Sequence, residues 1–240
     1  MLDQILKLDK SYNTPGFGAS IIHNGNIIYE ASKGYANVKK RIRISPETVF
    51  NACDLAKQFT AMCILILKEQ GKLALSDSIT QYLPSFPKLR TKITINHLLS
   101  HQSGIRDYLG LLLIKNKYKP RYFTKKQFWA DLNNQKQLGF YPGDGFANIN
   151  SGYVLLAEIV ENVSGKSLKD FAHANIFEPL AMHNTTFGCS ISKGPLENAY
   201  SYKWVKKKNR YTKTHSPSEL IGDGQLWTTL NDLYKWDQNF

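Results

Sequence analysis

The amino-acid sequence predicts an α+β protein (α/β in the broad sense), because a clear hairpin signal near its start is followed by apolar segments of helical length. Asn24-Gly25 separates two apolar, β-branched runs, which is the strongest short-range signal for a β-hairpin. The run 59–67 is almost continuously apolar and Gly71 follows it, so we expect a buried helix that ends near this glycine. A second apolar helix is expected over 152–165. No internal repeat or low-complexity linker occurs, which favours one domain over residues 1–240.

The basic character of the chain limits the kinds of partner that it can have. It carries 31 Lys and Arg against 19 Asp and Glu, a formal net charge of +12. The basic residues are spread over several segments, so a basic solvated surface is the favoured interpretation and no specific nucleic-acid partner is expected. A binding module for cell-wall polymer, anionic lipid or nucleic acid is the alternative. The basic segments are Lys39-Lys40-Arg41, 115–121, Lys125-Lys126 and Lys206-Lys207-Lys208.

Membrane, export and disulfide signals are weak in this sequence. It has no apolar run long enough for a membrane span, and its opening MLDQILKLDK lacks the apolar centre of a signal peptide. We expect neither feature in this chain, and the compartment stays open. Cysteines are too few for a disulfide scaffold, although one bridge stays open. Cys63 lies in the apolar helix, where a packing role is expected; the others are Cys53 and Cys189.

The stretch around the apolar helix carries a recognisable pattern. Residues 50–61 read FNACDLAKQFTA, and the blocks GYAN, PETVF, ITINHLLSHQSG and IFEPLAMHNTTF stand around it in order. This order resembles the serine β-lactamase and penicillin-binding-protein-like hydrolases (the class C and D-Ala-D-Ala carboxypeptidase branch) over residues 16–240. In that family the pattern is Ser-x-x-Lys-Gln-Phe-Thr-Ala, in which the Ser is acylated and the Lys removes its proton or tunes its pKa. Here Lys57 matches the Lys, and Asp54 stands at the Ser position.

The resemblance also implies an architecture. The family fold is an antiparallel sheet flanked by helices, beside a mostly helical subdomain, with the site between them. Residues 1–15 are then a lead-in, and 16–240 are the family-like region. The family's later strands and its third motif stand downstream of the last block found here, so a C-terminally truncated copy is expected. A hairpin without those strands leaves an apolar face uncovered, which predicts self-association.

The family's second motif, Tyr-x-Asn, falls on Asn148 and Asn150. Asn150 matches, and the resemblance implies that it hydrogen-bonds Lys57. Asn148 stands at the Tyr position, where an amide that does not ionise cannot act as a general base. We therefore expect the family reaction, acyl transfer on β-lactams, D-Ala peptides or small esters, to be impaired. The cleft is expected to bind a small-molecule, peptide or ester ligand without a cofactor.

Asp54 and its neighbour Cys53 leave three interpretations open. In the first, Asp54 caps the helix N-terminus and pairs with Lys57, because a carboxylate suits both the helix dipole and the ammonium. In the second, Asp54 is the nucleophile of an active hydrolase, as carboxylates are in some hydrolases. In the third, Cys53 is the nucleophile, because a helix N-terminus and a nearby Lys lower the pKa of a thiol. Cys53 is one residue off the family position, which rotates its side chain by about 100° around the helix.

His97 and His101 form the remaining pair with metal-binding spacing. Four residues apart on a predicted helix, they would share one face and could in principle bind zinc. No Glu follows His97 directly, and no third ligand is evident. A packing role is therefore favoured, and no metal is expected.

Overall fold

The N-terminal hairpin confirms the strongest sequence signal. The computed structural model describes residues 14–87, 89–114, 123–188, 198–214 and 218–240. Within them the first two strands pair antiparallel, and the φ angles of Asn24 and Gly25 at the turn are 49° and 72°. Left-handed angles at both positions suit a two-residue hairpin turn, for which Asn-Gly is preferred. Cys189 and most of the lead-in 1–15 lie outside the described residues.

The strands of the described residues form small antiparallel groups. The first pairs with the second, the third with the fourth and the seventh with the eighth, while the remaining three form a sheet of order β5-β9-β6. The last sheet brings the segment before the apolar helix beside the C-terminal part of the chain. The strands are β1 Phe17–His23, β2 Asn26–Lys33, β3 Tyr35–Asn37, β4 Ile42–Arg43, β5 Phe50–Asn51, β6 Thr186–Phe187, β7 Tyr202–Val205, β8 Arg210–Lys213 and β9 Leu226–Thr228.

Helices make up the other part of the fold, which confirms the α+β prediction. Both apolar helices of the sequence are present as α1 and α5, and within the described residues no helix is long and apolar enough to cross a bilayer. Short 3-10 turns cover Cys53–Leu55, Ile79–Gln81 and Lys206–Lys208, and a π-helical turn covers His173–Phe177. The α-helices are α1 Ala56–Glu69, α2 Ile95–Leu99, α3 Tyr108–Ile114, α4 Lys125–Asn133, α5 Asn150–Ser164, α6 Leu168–Ala172 and α7 Leu230–Asp237.

The core lies where α1, α5 and α6 pack against one another. Phe59 on α1 is fully buried, with its ring 5.6 Å from that of Phe177 and 4.4 Å from that of Trp236. Cys63 is fully buried on the same helix, which confirms its packing role. Gly71 takes a left-handed φ of 68° just after α1, as the sequence predicts for the helix end. The core therefore fixes the start of α1 relative to α5.

Helix α7 covers part of the N-terminal hairpin. It packs on β1, where Gly18 lies so close to Leu230 that an added Cβ would be 2.8 Å from its Cδ1 atom. The Tyr234 hydroxyl donates to the Gly25 carbonyl oxygen at 2.8 Å. Some apolar side chains stay accessible, and Ile28 on β2 is 62% exposed. The expected self-association of this hairpin stays a prediction.

Candidate functional site

The site is built where the chain leaves the β5-β9-β6 sheet and enters α1. Asn51 on β5 pairs with Trp227 on β9, and the next N–H, of Ala52, donates to the Leu226 carbonyl oxygen at 2.8 Å. The chain then turns through the 3-10 segment Cys53–Leu55 before α1 begins. This strand-turn-helix order holds the first residues of α1 at the edge of the sheet.

Lys57 is the residue around which the candidate site residues meet. Its Nζ atom donates to Asn148 Oδ1 at 3.2 Å and lies 3.4 Å from Asp54 Oδ1. The same ammonium lies 5.8 Å from the centre of the Tyr153 ring, within range of a cation–π contact. The Lys57 side chain is 11% exposed, whereas that of Asp54 is 72% exposed. The structure thus brings Asp54, Lys57 and Asn148 together at the start of α1.

The role expected for Asp54 at the helix start is only half correct. The predicted ion pair with Lys57 is present, but Asp54 is not the N-cap of α1. Leu55 occupies the N-cap position without a side-chain hydrogen bond, because the preceding 3-10 turn continues directly into the helix. The Asp54 carboxylate therefore points to solvent and Lys57 and does not satisfy the backbone N–H groups of the helix.

The two asparagines make different contacts. Asn148 accepts a hydrogen bond from Lys57, and the bond that the resemblance implies between Lys57 and Asn150 stays a prediction. Asn150 is the first residue of α5, and its backbone N–H donates to Asp107 Oδ1 at 2.7 Å. The backbone contact of Asn150 fixes the start of α5 next to residues 106–108.

Cys53 lies beside the site in a strained conformation. Its φ is 47°, and its N–H donates to Asn51 Oδ1 at 2.9 Å. Burial raises the pKa of the Cys53 thiol, and the negative charge of Asp54 raises it further. The expected lowering of this pKa is therefore wrong, because desolvation and the adjacent carboxylate oppose formation of the thiolate.

The two histidines do not share a helix face. Helix α2 ends at Leu99, and His101 follows it with a φ of 59°. His97 stays on α2 and takes part in its N-terminal capping box with Thr94. His101 turns towards the site, where its Nδ1 accepts from the Ile149 N–H at 3.3 Å.

The charges of the site act on His101. Burial lowers the pKa of its imidazole, nearby Lys57 lowers it further, and Asp54 partly opposes the change. The ring also lies 5.1 Å from that of Tyr153, centre to centre. His101 thus lies beside Lys57 and Tyr153, where the sequence predicted only a packing role for it. Within the described parts of the chain, no group of three or more His, Cys, Asp or Glu could hold a metal ion.

A glycine-containing loop supports the site from beneath. The Thr60 hydroxyl on α1 donates to the Gly222 carbonyl oxygen at 2.8 Å. Gly222 has a φ of 101°, and a Cβ added there would lie 2.7 Å from both the Ala157 Cβ and the Tyr153 carbonyl oxygen of α5. Only a glycine lets the loop pass this close to α5. The loop is thereby wedged between α1 and α5.

Asp223 in this loop is a buried carboxylate that sequence reasoning missed. It is 7% exposed, and its Oδ2 accepts from the Tyr108 hydroxyl at 2.8 Å. Burial raises the pKa of Asp223 to about 6, although the Tyr108 hydrogen bond and the charge of Lys57 both act to lower it. The sequence did contain a signal for this residue: Asp223 is the only charged residue of the block IGDGQL, where it stands between two glycines.

The segment 106–108 connects the Asp223 carboxylate to the start of α5 through hydrogen bonds. The Tyr108 N–H donates to Ser151 Oγ at 2.9 Å, and the Ser151 hydroxyl donates to the Arg106 carbonyl oxygen at 3.0 Å. Tyr108 itself is buried, with its ring stacked on Phe123 at 5.3 Å. The site therefore has an accessible upper part and a buried, hydrogen-bonded lower part.

Curated proteins similar to this chain include penicillin-binding proteins and D-aminopeptidases. This chain is 32% identical to penicillin-binding protein 4* of Bacillus subtilis over 226 residues, which cover 89% of this chain and 49% of that protein. It is 27% identical to a D-aminopeptidase of Brucella ovis, with coverage of 96% of this chain and 43% of that enzyme. The chain spans about half the length of the curated relatives it matches.

Solved structures show the same likeness. An octameric penicillin-binding protein homologue from Pyrococcus abyssi aligns with a TM-score of 0.82 at 31% identity, covering 93% of this chain and 52% of that one. FmtA from Staphylococcus aureus shares the fold, with a TM-score of 0.79 at 23% identity over 99% of this chain and 64% of that one. The family model described as Beta-lactamase matches residues 2–239. By this match and by its fold, the chain belongs to the beta-lactamase family, whose relatives include penicillin-binding proteins and D-aminopeptidases.

Proposed function

We propose that this chain binds a peptide- or ester-like ligand in the cleft at the start of α1 and has lost serine-dependent acyl transfer there. The observation that carries the proposal is the position of the Lys57 ammonium between Asp54 and Asn148. The similarity to penicillin-binding proteins and D-aminopeptidases supports a ligand built from acyl groups and D-amino acids.

The chemistry of these three groups explains the loss. Acyl transfer by the family route needs a hydroxyl nucleophile and a neighbour that accepts its proton. Position 54 offers a carboxylate in place of the hydroxyl. Asn148 offers an amide, which neither ionises nor accepts a proton at ordinary pH. Lys57 donates a hydrogen bond to Asn148 and forms an ion pair with Asp54, so its ammonium is engaged by two oxygens, neither of which belongs to a hydroxyl.

The exposed carboxylate also bears on the choice of ligand. Asp54 is 72% exposed, so an incoming ligand meets its negative charge at the mouth of the cleft. A ligand with a free C-terminal carboxylate is repelled there, whereas a neutral ester or an amine-bearing ligand is not. The ring of Phe146 is 70% exposed and lies 5.9 Å from that of His101, so it offers apolar contact area beside the site. We therefore expect esters and amino-terminated peptides to bind better than peptides that end in D-Ala.

An active hydrolase with Asp54 or Cys53 as nucleophile is the competing function. The raised pKa of Cys53 disfavours the thiolate that such a reaction needs. For Asp54, attack on an ester would give an anhydride, and hydrolysis would then need a general base. Among the described residues, Asp54 and Lys57 contact each other and Asn148, and none of these three is a free base. The nearby His101 already uses its Nδ1 lone pair to accept from the Ile149 N–H.

The test is hydrolysis of a chromogenic cephalosporin and of a short-chain p-nitrophenyl ester by the chain and by Asp54→Ser. We expect the natural chain to be inert and Asp54→Ser to release nitrophenol in a burst equal to the enzyme concentration. Calorimetry with N-acetyl-D-Ala methyl ester and with D-Ala-D-Ala measures binding without chemistry. Tighter binding of the ester by the natural chain is expected, and Asp54→Asn should remove this difference.

Matched variants decide between the outcomes. Turnover by the natural chain that Cys53→Ala abolishes would move the nucleophile to Cys53, and turnover that Asp54→Asn abolishes would move it to Asp54. Either result contradicts the proposal. A folded Asp54→Ser that forms no acyl-enzyme would show that a hydroxyl at position 54 is not sufficient, and the double variant Asp54→Ser with Asn148→Tyr would then test the second position. Absence of binding to both ligands would remove the ligand-binding part of the proposal.

A further inference from the structure

The hairpin of β7 and β8 is a separate two-stranded sheet with an unusual charge. Residues 198–214 contain six Lys and Arg and no Asp or Glu. Because strands this short span only about 13 Å, these charges lie close together on one small projection. The six are Lys203, Lys206, Lys207, Lys208, Arg210 and Lys213.

The tip of this hairpin projects into solvent. Lys206–Lys208 form a 3-10 turn, Asn209 closes it with a left-handed φ of 45°, and all residues of 206–210 are exposed. Within the described part of the chain, Lys203, Arg210 and the three tip lysines form no ion pair. The charge of the tip is therefore not neutralised by those residues.

One face of the same hairpin is aromatic. Tyr202 is opposite Lys213 and Trp204 is opposite Tyr211, so these four side chains share a face. The rings of Trp204 and Tyr211 are 4.9 Å apart, and Trp204 stays 44% exposed. Lys213 Nζ lies 3.1 Å from the centre of the Tyr200 ring. The hairpin thus offers half-exposed aromatic rings beside a cluster of ammonium groups.

A second basic segment lies at the base of the hairpin. The Val38 N–H donates to the Tyr202 hydroxyl at 2.9 Å, and the Tyr200 N–H donates to the Ala36 carbonyl oxygen at 3.0 Å. These bonds place the turn between β3 and β4 against β7. That turn carries exposed Lys39-Lys40-Arg41, and residues 34–46 contain no Asp or Glu.

We propose that the β7–β8 hairpin and the β3–β4 turn, together the basic hairpin surface, dock onto an anionic phospholipid bilayer. Clusters of four to eight Lys and Arg bind anionic membrane surfaces, and Trp and Tyr rings favour the headgroup region. A single-stranded nucleic acid is favoured by a groove that follows its backbone, whereas this tip is convex. The proposal concerns a surface formed by other residues than the α1 site, and it does not depend on the chemistry at Asp54.

The test measures co-sedimentation of the chain with phosphatidylcholine vesicles that contain or lack phosphatidylglycerol. We expect binding only to the anionic vesicles, with release as salt is raised, because the attraction is electrostatic. Joint substitution Lys206→Gln, Lys207→Gln and Lys208→Gln should weaken the binding by about tenfold or more. Trp204→Phe should remove a blue shift in tryptophan emission that accompanies binding of the natural chain.

A matched control variant tests whether vesicle binding depends on the basic hairpin surface or only on the net charge of the chain. Joint substitution Lys72→Gln, Lys166→Gln and Lys169→Gln removes the same charge from exposed positions outside the basic hairpin surface. Binding of this control should change far less than that of the hairpin variant. Equal loss in both, or no binding of the natural chain to anionic vesicles, would overturn the proposal. So would retention on heparin or polyphosphate without vesicle binding, which would identify an anionic polymer as the partner.

Discussion

The site has two parts that differ in almost every physical respect. Its rim is formed by the exposed Asp54 and Asn148 and by Lys57, whose side chain is largely buried beneath them. Asp54 and Asn148 are the two positions at which the sequence predicts a departure from the family pattern. Its base, formed by Gly222, Asp223 and Tyr108, is buried, and each of these residues is hydrogen-bonded or tightly packed. The comparison separates the accessible residues, where the proposed change of chemistry lies, from the buried residues that hold the two helices together.

The difference has a simple physical cause. A substitution at an exposed rim position leaves no cavity and no buried polar group without a partner, so its effect on stability is small. A substitution in the base leaves a cavity or a buried polar group without a partner, because the loop lies between two helices with no space around it. Asp54 and Asn148 can therefore change with little effect on the stability of the fold, whereas the residues of the base cannot.

The largest expected effect comes from Gly222→Ala in the base. The new Cβ would lie 2.7 Å from the Ala157 Cβ and the Tyr153 carbonyl oxygen, at a φ of 101° that alanine disfavours. Left-handed strain and overpacking together should lower the free energy of unfolding by about 3 kcal/mol or more. Denaturant unfolding followed by circular dichroism measures it. Gly71→Ala, where φ is 68° in open space, is the control and should cost only about 1 kcal/mol. Equal effects would show that the loop is not wedged.

A second effect is the pH dependence that Asp223 contributes. Burial raises the pKa of its carboxyl to about 6, so the folded chain holds a proton that the unfolded chain has released above about pH 4. The Asp223 contribution to stability therefore falls as the pH rises from about 4 to above 6, by about 3 kcal/mol as an order of magnitude.

Urea unfolding at a series of pH values tests this contribution. The difference in stability between the natural chain and Asp223→Asn should change across that pH window in favour of the variant. Asp77 is an internal contrast, because a hydrogen bond from Tyr82 lowers the pKa of its carboxyl and its contribution is lost as the pH falls. A difference that does not depend on pH would show that Asp223 is ionised in the folded chain throughout.

The smallest effect is expected at the rim. Asp54→Asn removes the ion pair with Lys57 but keeps the shape of the side chain, and the position is 72% exposed. The free energy of unfolding should change by about 1 kcal/mol or less. Denaturation midpoints of the two proteins at low and high salt measure it, with the difference shrinking in high salt. A loss of unfolding free energy as large as that of Gly222→Ala would show that Asp54 is as important for stability as the base, and would contradict the division of the site into rim and base.

Local signals in the sequence were sufficient for the elements that frame the site. Asn24-Gly25 predicted the hairpin turn, and Gly71 and Gly165 predicted the ends of α1 and α5, because left-handed φ angles at these points favour Asn and Gly. The ordered blocks identified the family, and the position of Asp54 next to Lys57 predicted their ion pair. One-domain organisation, self-association and the truncated C-terminal part stay predictions.

Other features of the site depended on contacts between distant residues. Lys57 donates to Asn148, which is 91 positions away in sequence, and the backbone N–H of Asn150 is held by Asp107 at the start of α5. The pKa of Cys53 is raised and not lowered, because burial depends on surrounding segments that spacing along the chain does not reveal.

The sequence by itself determined the hairpin, the two apolar helices, the family and the residues at the rim of the site. Each of these depends on a short stretch of sequence: a two-residue turn, an apolar run of helical length or a motif with fixed spacing. Only the tertiary structure decided the base, where Asp223 meets Tyr108 and Gly222 passes α5. Residues that are 115 positions apart in sequence become hydrogen-bonded partners there. Burial and its effect on the pKa of a carboxyl arise from how segments pack, and no local pattern encodes them.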